Sequence, residues 1–252
     1  MEKLIEQNFS RHAGSYDKYA TVQLRVAHDL LGSFSLHGLK AILELGCGTG
    51  NYTLLLADKF KEASIVALDI SQAMLIQARK KITGHHIEFI QADAAEFRTQ
   101  QHFDLITSNA CLQWVGDLNL ILSNYRRMLK PGGTITFSTF GSRTFCELDQ
   151  AISLFSGKRT IPAAGFLPQE RLKGILKELF TTVKIRPVVY RETFTGLNEF
   201  LKVIKYSGTR GFGLGEKAAL TRSDLKQIEM LYLRQFGKIV VTYEVFLCQA
   251  KD

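Results

Sequence analysis

Apolar positions in this chain fall into two alternating rhythms. Between residues 40 and 139, five short aliphatic or β-branched runs recur: KAILEL (40–45), SIVALD (64–69), HIEFIQ (86–91), FDLITS (103–108) and GTITFST (133–139). Each has the length and composition of a strand buried on both faces. Between them, SQAMLIQARKKI (71–82) and DLNLILSNYRRML (117–129) repeat their apolar residues at helical spacing. The second puts Leu118, Ile121, Leu122, Tyr125 and Leu129 on one face. LKPGG (129–133) supplies the Pro and Gly that should stop this helix before the next strand. Alternating strands and helices predict a doubly wound, mostly parallel sheet of the α/β class.

Beyond residue 140 the rhythm changes. Helices are predicted over 143–156, 168–179, 195–206 and 222–235, with Thr221 and Asp224 approximating a capping box for the last. TTVKIRPVVYRETF (181–194) and KIVVTYEVFLCQA (238–250) read as two more strands that extend the sheet. The glycine-punctuated segment near 195–237 then reads as a helical insertion between them. The expected organisation is a single domain over 1–252, with a helical cap over 1–37, a core over 38–140 and the remaining strands and lid over 141–252.

Composition excludes several classes. With 46% hydrophobic and 22% charged residues, the chain is neither disordered nor fibrous. No apolar run approaches the roughly 20 residues of a membrane span, and MEKLIEQNFSRH lacks the apolar centre of a signal peptide. A cytoplasmic location with no membrane partner is expected. Cys47, Cys111, Cys146 and Cys248 form no C-x-x-C pair, so neither a disulfide framework nor a metal site is indicated.

Charge adds a partner class. The net charge of +8 is lopsided, with 14 Lys and Arg against 13 Asp and Glu over residues 1–140 but 18 against 11 over 141–252. Such a surface suits nucleic acid, anionic lipid or an acidic protein, and a basic face kept for solubility is the plain alternative.

The candidate chemistry sits in ILELGCGTGNYT (42–53). Its glycines, Gly46, Gly48 and Gly50, are spaced G-x-G-x-G, whereas a dinucleotide fingerprint is G-x-G-x-x-G and here would end on Asn51. Glu44, two residues before the first glycine, repels a pyrophosphate but attracts an ammonium group. A nucleoside carrying an amino acid fits better. Asp69 closes the second strand, where a carboxylate accepts from both ribose hydroxyls, and Asp93 follows the third strand, placed for an adenine amino group.

Glu44, the three glycines, Asp69, Asp93 and LKPGG together resemble the motif set of the class I S-adenosylmethionine-dependent methyltransferases over about residues 38–140. The resemblance implies a Rossmann-like fold: a mostly parallel seven-stranded sheet with an antiparallel strand, plus a helical lid. It also implies S-adenosylmethionine as cofactor. To the residues above it adds Ile70, Met74, Ala94, Asn109 and Gln113 as cofactor contacts, with Cys47 contributing backbone.

A narrower resemblance spans residue 9 to the end. FSRHAGSYDKYATVQ (9–23), SNACLQW (108–114), FSTFG (137–141), EL (147–148), FLP (166–168), LKVIKYSGTR (201–210) and VTYEVFL (241–247) are similar, in order, to the malonyl-acyl-carrier-protein O-methyltransferases of biotin synthesis. Cys111 and the lack of proline after AAEF depart from the commoner pattern. The resemblance implies methylation of the free carboxylate of a malonyl thioester on an acidic acyl carrier protein, so that fatty acid synthesis can extend it toward a pimeloyl chain. A carboxylate needs no general base, but a cation should hold it. Candidates are Lys202 and Lys205 on one helical face, Arg210 in the following loop and Arg143 after the fifth strand, with Tyr16 closing over the site. Gln113 is placed to orient substrate and Trp114 to pack under its loop. The carrier's acidity would match residues 150–215, which hold 11 basic side chains against 4 acidic, and the glycines at 208, 211, 213 and 215 would let a lid move.

Three rivals stay open at this point. One is a class I methyltransferase acting on a free small carboxylic acid or a quinone precursor. Another is a nucleic-acid enzyme, disfavoured because SNACLQW replaces the NPPY-type loop that holds a base amino group. The third is a nucleoside-binding regulatory module without chemistry.

Overall fold

The five apolar runs become five parallel strands. In the computed structural model, which describes residues 2–84, 86–157, 165–207 and 220–252, these are β1 (Ala41–Leu45), β2 (Ser64–Asp69), β3 (Ile87–Gln91), β4 (Phe103–Ser108) and β5 (Leu129–Phe140). β6 (Thr182–Phe194) and β7 (Ile239–Lys251) complete a seven-stranded sheet of order β3-β2-β1-β4-β5-β7-β6. β7 lies antiparallel between β5 and β6. The strand order reverses between β1 and β4, and the crevice outside the carboxyl ends of the strands there is where an open α/β sheet binds its ligand.

Successive residues of a strand face opposite sides of the sheet, and β1 shows the consequence. Ile42 joins one apolar layer, packed with Leu30, Leu56 and Phe200, while Leu43 joins the other, with Leu122, Phe137 and Leu172. Both are fully buried, so each face of the sheet is covered by helices. Besides α5 (Gln72–Lys81) and α6 (Leu118–Arg126), the expected helices appear as α7 (Cys146–Ser156), α8 (Gln169–Leu179), α9 (Leu197–Tyr206) and α10 (Arg222–Phe236). Thr221 and Asp224 form a full capping box on α10.

Three features differ from expectation. LKPGG is not a stop between elements but the first part of β5: Leu129 pairs with Phe103, then the register shifts before Thr134 pairs with Leu105. Gly132 bends there at φ +77°, and a Cβ on Gly133 would stand 2.9 Å from the Lys130 carbonyl oxygen. The extra residues bulge out of the ladder instead of ending it. NYTLLLADK, not singled out by its pattern, forms α4 (Asn51–Lys59) directly after the glycine loop. Within 195–237, α10 buries Ile228 and Tyr232 in the main core, so it belongs to the helical layer over the sheet. Residues 208–219, with Arg210 and the four lid glycines, lie outside the described residues.

The amino-terminal segment divides in two. α3 (Thr21–Gly32) buries Val22, Val26, Ala27 and Leu30 in the main core, whereas α1 (Glu2–His12) and the single-turn α2 (Tyr16–Tyr19) arch over the carboxyl ends of β1 and β2.

Candidate active site

Two loops at the switch point are pinned by one carboxylate. Asp69 at the end of β2 accepts from the Gly48 N–H through Oδ2 and from the Ser71 N–H through Oδ1, each at 2.8 Å. The Cys47 N–H donates to the Leu68 carbonyl at 2.8 Å, tying the glycine loop to the same strand. Burial pushes the Asp69 carboxyl up to about 6, against the pull of the two N–H groups. Gly48 is bent at φ +55° and nothing stands within 4 Å of where its Cβ would be, so its bare backbone faces open space.

That space is a cavity of about 810 Å³ including its mouth. Of the residues expected at a cofactor, Gly46, Gly48, Asp69, Ile70, Met74, Asp93, Ala94 and Asn109 line it, as does Tyr16. Asp93 is oriented by the Ala95 N–H, which donates to its Oδ1 at 2.7 Å. Asn109 is fixed from both ends, donating to the Gln23 carbonyl at 3.0 Å and accepting from the Ser138 hydroxyl at 2.8 Å. Beside it Ala110 is held at φ +52°, a strained backbone stabilised by its N–H bond to Ser138 Oγ at 2.8 Å.

Four expected cofactor residues stand outside the lining. The Cys47 side chain is packed into the core. Gly50 begins α4, and a Cβ there would press on Ile82 and Ala78, so its smallness serves helix packing. Gln113 donates to the Ala110 carbonyl at 2.7 Å and braces the loop after β4. Glu44 is buried behind the glycine loop at 1% exposure, and its Oε2 has no hydrogen-bond partner. Burial pushes the Glu44 carboxyl up to about 8; the Thr53 side chain opposes this and the charge of Asp69 reinforces it.

The roof comes from residues that hydrophobic spacing alone did not single out. Ile5 and Phe9 of α1 enter the cavity, and Phe9 meets Tyr16 and Trp114 edge-on at ring separations of 6.2 and 6.4 Å. Trp114 therefore lines the cavity instead of packing beneath its loop; Phe166 also meets it edge-on, at 5.5 Å. α2 is anchored by Asp17, which accepts from Lys81 Nζ at 2.7 Å and from the Asn51 amide at 3.0 Å. Ser10 bonds Ser71 Oγ at 2.7 Å, joining α1 to the start of α5. Burial, then the charges of Asp69 and Asp17, push the Tyr16 phenol well above its usual range, so it stays protonated. Cys111 is likewise pushed up to about 12 and stays a thiol.

Of the cationic candidates, Lys202, Lys205 and Arg143 stand outside this lining. The described lining contains no Lys, Arg or His. Lys202 and Lys205 lie on α9, and Arg143 is exposed after β5, its backbone N–H donating to Glu244 at 3.0 Å. Among the described residues, no cluster of three or more His, Cys, Asp or Glu could hold a metal ion. An open glycine backbone, two cavity carboxylates and an orphaned buried carboxylate oxygen behind them fit a nucleoside that carries an ammonium group.

Comparison with known proteins bears on this geometry. Residues 42–133 match the family model described as a methyltransferase domain, which spans β1 to the bulge in β5. The malonyl-[acyl-carrier protein] O-methyltransferase of Priestia megaterium is 37% identical over 74% of this chain and 71% of its own length. That of Brevibacillus brevis is 34% identical over 99% of this chain and 96% of its own. The chain belongs to the malonyl-[acyl-carrier protein] O-methyltransferase family. Among solved structures, phosphoethanolamine N-methyltransferase 2 of Haemonchus contortus, in complex with S-adenosyl-L-methionine, superposes with a TM-score of 0.60. It is 17% identical, over 96% of this chain and 57% of that one. For this malonyl-[acyl-carrier protein] O-methyltransferase family member, the superposition supports the Rossmann-like class I fold.

Proposed function

We infer that this chain is an S-adenosylmethionine-dependent O-methyltransferase that esterifies the free carboxylate of a malonyl group carried on acyl carrier protein, in the service of biotin synthesis. Identity of 31–37% to several malonyl-[acyl-carrier protein] O-methyltransferases, over most of the chain, carries this reading. The cavity supports it from chemistry. Its described lining offers no His or Lys to act as general base, and a carboxylate, already ionised at neutral pH, needs none.

When bound, S-adenosylmethionine supplies an electrophilic methyl group on a sulfonium. Asp69 would accept from the ribose hydroxyls and Asp93 from the adenine amino group, and Glu44, neutral at pH 7 without ligand, would ionise as the ammonium arrives and offset its charge. Gly48 admits the ligand against bare backbone, while Ile70 and Met74 supply apolar contact. The Tyr16 hydroxyl, kept protonated by its surroundings, would donate to one oxygen of the substrate carboxylate and leave the other to attack. Phe9 and Trp114 would exclude water and hold the attacking oxygen in line. Arg210 remains a candidate cation for this carboxylate. The carrier is proposed to be acidic and to be drawn by the basic carboxy-terminal part of the chain.

Intact-mass spectrometry of malonyl-loaded carrier after incubation with the protein and S-adenosylmethionine tests the reading. A gain of one methyl group on malonyl carrier, with none on acetyl carrier or free malonate, is expected. Equal methylation of free malonate would point to a small-acid enzyme instead.

A further inference from the structure

The amino-terminal cap and α9 meet in a stack of rings flanked by cations. Tyr19 of α2 and Tyr206 of α9 lie face to face, with centroids 4.8 Å apart and planes 23° from parallel. His12 meets Tyr206 edge-on at 5.1 Å. Lys18 Nζ lies 5.7 Å from the Tyr19 centroid and Lys205 Nζ 5.1 Å from that of Tyr206, so an ammonium flanks each ring of the pair. Lys202, four residues before Tyr206, shares its helical face. Lys18 and Lys202 are exposed and Lys205 is half-buried.

Asp17 and Glu199, the acids beside these lysines in the sequence, take their hydrogen bonds from other residues. Asp17 turns toward the glycine loop, accepting from the Thr49 hydroxyl there, from Asn51 at the start of α4 and from Lys81 at the end of α5. Glu199 accepts from the Thr195 N–H at 2.8 Å and its hydroxyl at 2.7 Å; these bonds, and after them Lys202, hold its carboxyl below the usual range. Among the described residues, no ion pair engages Lys18, Lys202 or Lys205. The seam also adjoins the cavity: Tyr16, which lines it, begins the same single helical turn that ends at Tyr19.

We propose that this seam, with Lys18, Lys202 and Lys205 as its charges, is the surface on which the acidic acyl carrier protein docks to deliver its malonyl group into the cavity. The proposal rests on the carrier-bound substrate inferred above and narrows the basic surface to one place. Cations held against tyrosine faces are pre-positioned, so an acidic partner meets a charge pattern already in place at little further entropic loss. Docking there sets the partner against the cap and the lid helix at once, beside the cavity rim. Lys202 and Lys205 therefore bind the carrier protein, not the reacting carboxylate.

The test is steady-state kinetics of the full chain with malonyl-loaded carrier, comparing the unaltered protein with a Lys18→Glu and Lys205→Glu double variant. The expected result at low salt is a KM for carrier raised about tenfold or more, with kcat within about twofold and a flatter dependence on salt. Affinity for S-adenosylhomocysteine should be unchanged, which checks the fold. Lys18→Arg with Lys205→Arg should restore KM. An unchanged KM and salt slope overturns the seam, as does a fall in kcat at unchanged KM, which would put Lys205 at the reacting carboxylate. No methyl transfer by the unaltered protein would instead overturn the carrier-bound substrate itself, and the seam with it.

Discussion

The Cys111 side chain fills the volume in which a side chain on Gly46 would stand. A Cβ built on Gly46 would fall 2.6 Å from the Cys111 Cβ and closer still to Sγ, on a backbone already at φ +69°. Gly46→Ala should therefore shift the glycine loop and weaken S-adenosylhomocysteine binding by about tenfold or more, since the left-handed backbone alone costs about 1–2 kcal/mol. Calorimetric titration would measure it. Adding Cys111→Gly should recover part of the loss, whereas Cys111→Ala, which keeps the Cβ, should recover none.

Glu44 sets a pH dependence of stability. Its carboxyl sits at about 8 in the folded protein against an ordinary 4.5. Because the folded value is raised, its contribution is full below 4.5 and is lost as pH rises to about 8, the unfolded chain being the more willing to ionise. The decline should be on the order of a few kcal/mol. Urea unfolding of the ligand-free protein from pH 5 to 8.5 should show it, and Glu44→Gln should flatten it. A variant with the same slope as the unaltered protein would remove Glu44 as the cause.

Asp69 governs the cofactor across a different window. With its carboxyl at about 6, it is ionised at neutral pH and protonates on mild acidification. The protonated acid accepts hydrogen bonds less well, so affinity for S-adenosylhomocysteine should fall as pH drops from 7 through 6. Asp69→Asn should bind about tenfold or more weakly and lose that pH dependence over the same range.

Tyr16→Phe separates chemistry from binding. Without the hydroxyl, the carboxylate loses a donor while the ring still packs on Phe9. A drop in kcat of about tenfold, with cofactor affinity held, is expected from the loss of one hydrogen bond worth about 1–1.5 kcal/mol. Stopped-flow or single-turnover methylation would read it, and a normal rate would remove Tyr16 from the reacting site.

The Asp17–Lys81 pair anchors the roof more than it stabilises the fold. Both side chains are partly exposed, so the pair should contribute at most about 1 kcal/mol to global stability. Asp17→Asn should nevertheless speed S-adenosylhomocysteine release severalfold, because α2 would open more often, while the melting temperature barely moves. Displacement kinetics would show it; unchanged release would mean the roof is held by its aromatic contacts instead.

Much of this was legible in the chain because each signal was local. Strands β1 to β4 and helices α8 to α10 fall within a residue or two of their apolar patterns, since burial on two faces or one writes a period directly into the sequence. The beginning of β5 was hidden because Pro131 and Gly132 stop a ladder in isolation, and only pairing with β4 carries it past them as a bulge. α4 was hidden because Gly50 gives it no capping side chain and Leu54, Leu55 and Leu56 run together without a period. At the site, Asp69, Asp93 and the glycines could be read from the ends of strands. Ile5, Phe9 and Trp114 could not, because an amphipathic segment reveals that it covers something but not what. The cationic candidates rest on chemistry alone, and the spacing of Lys202 and Lys205 specifies a shared face without specifying its neighbour.

The position of β7 has a consequence for how the molecule is made. This strand pairs along its full length with β6 and over seven residues with β5, so until residues 239–251 leave the ribosome β5 has an open edge and β6 has no neighbour in the sheet. The cofactor half can form first as a parallel platform, but it must wait with exposed backbone while about a hundred residues follow. A pause or truncation in that interval would yield not a smaller enzyme but a sheet ready to pair with the wrong chain.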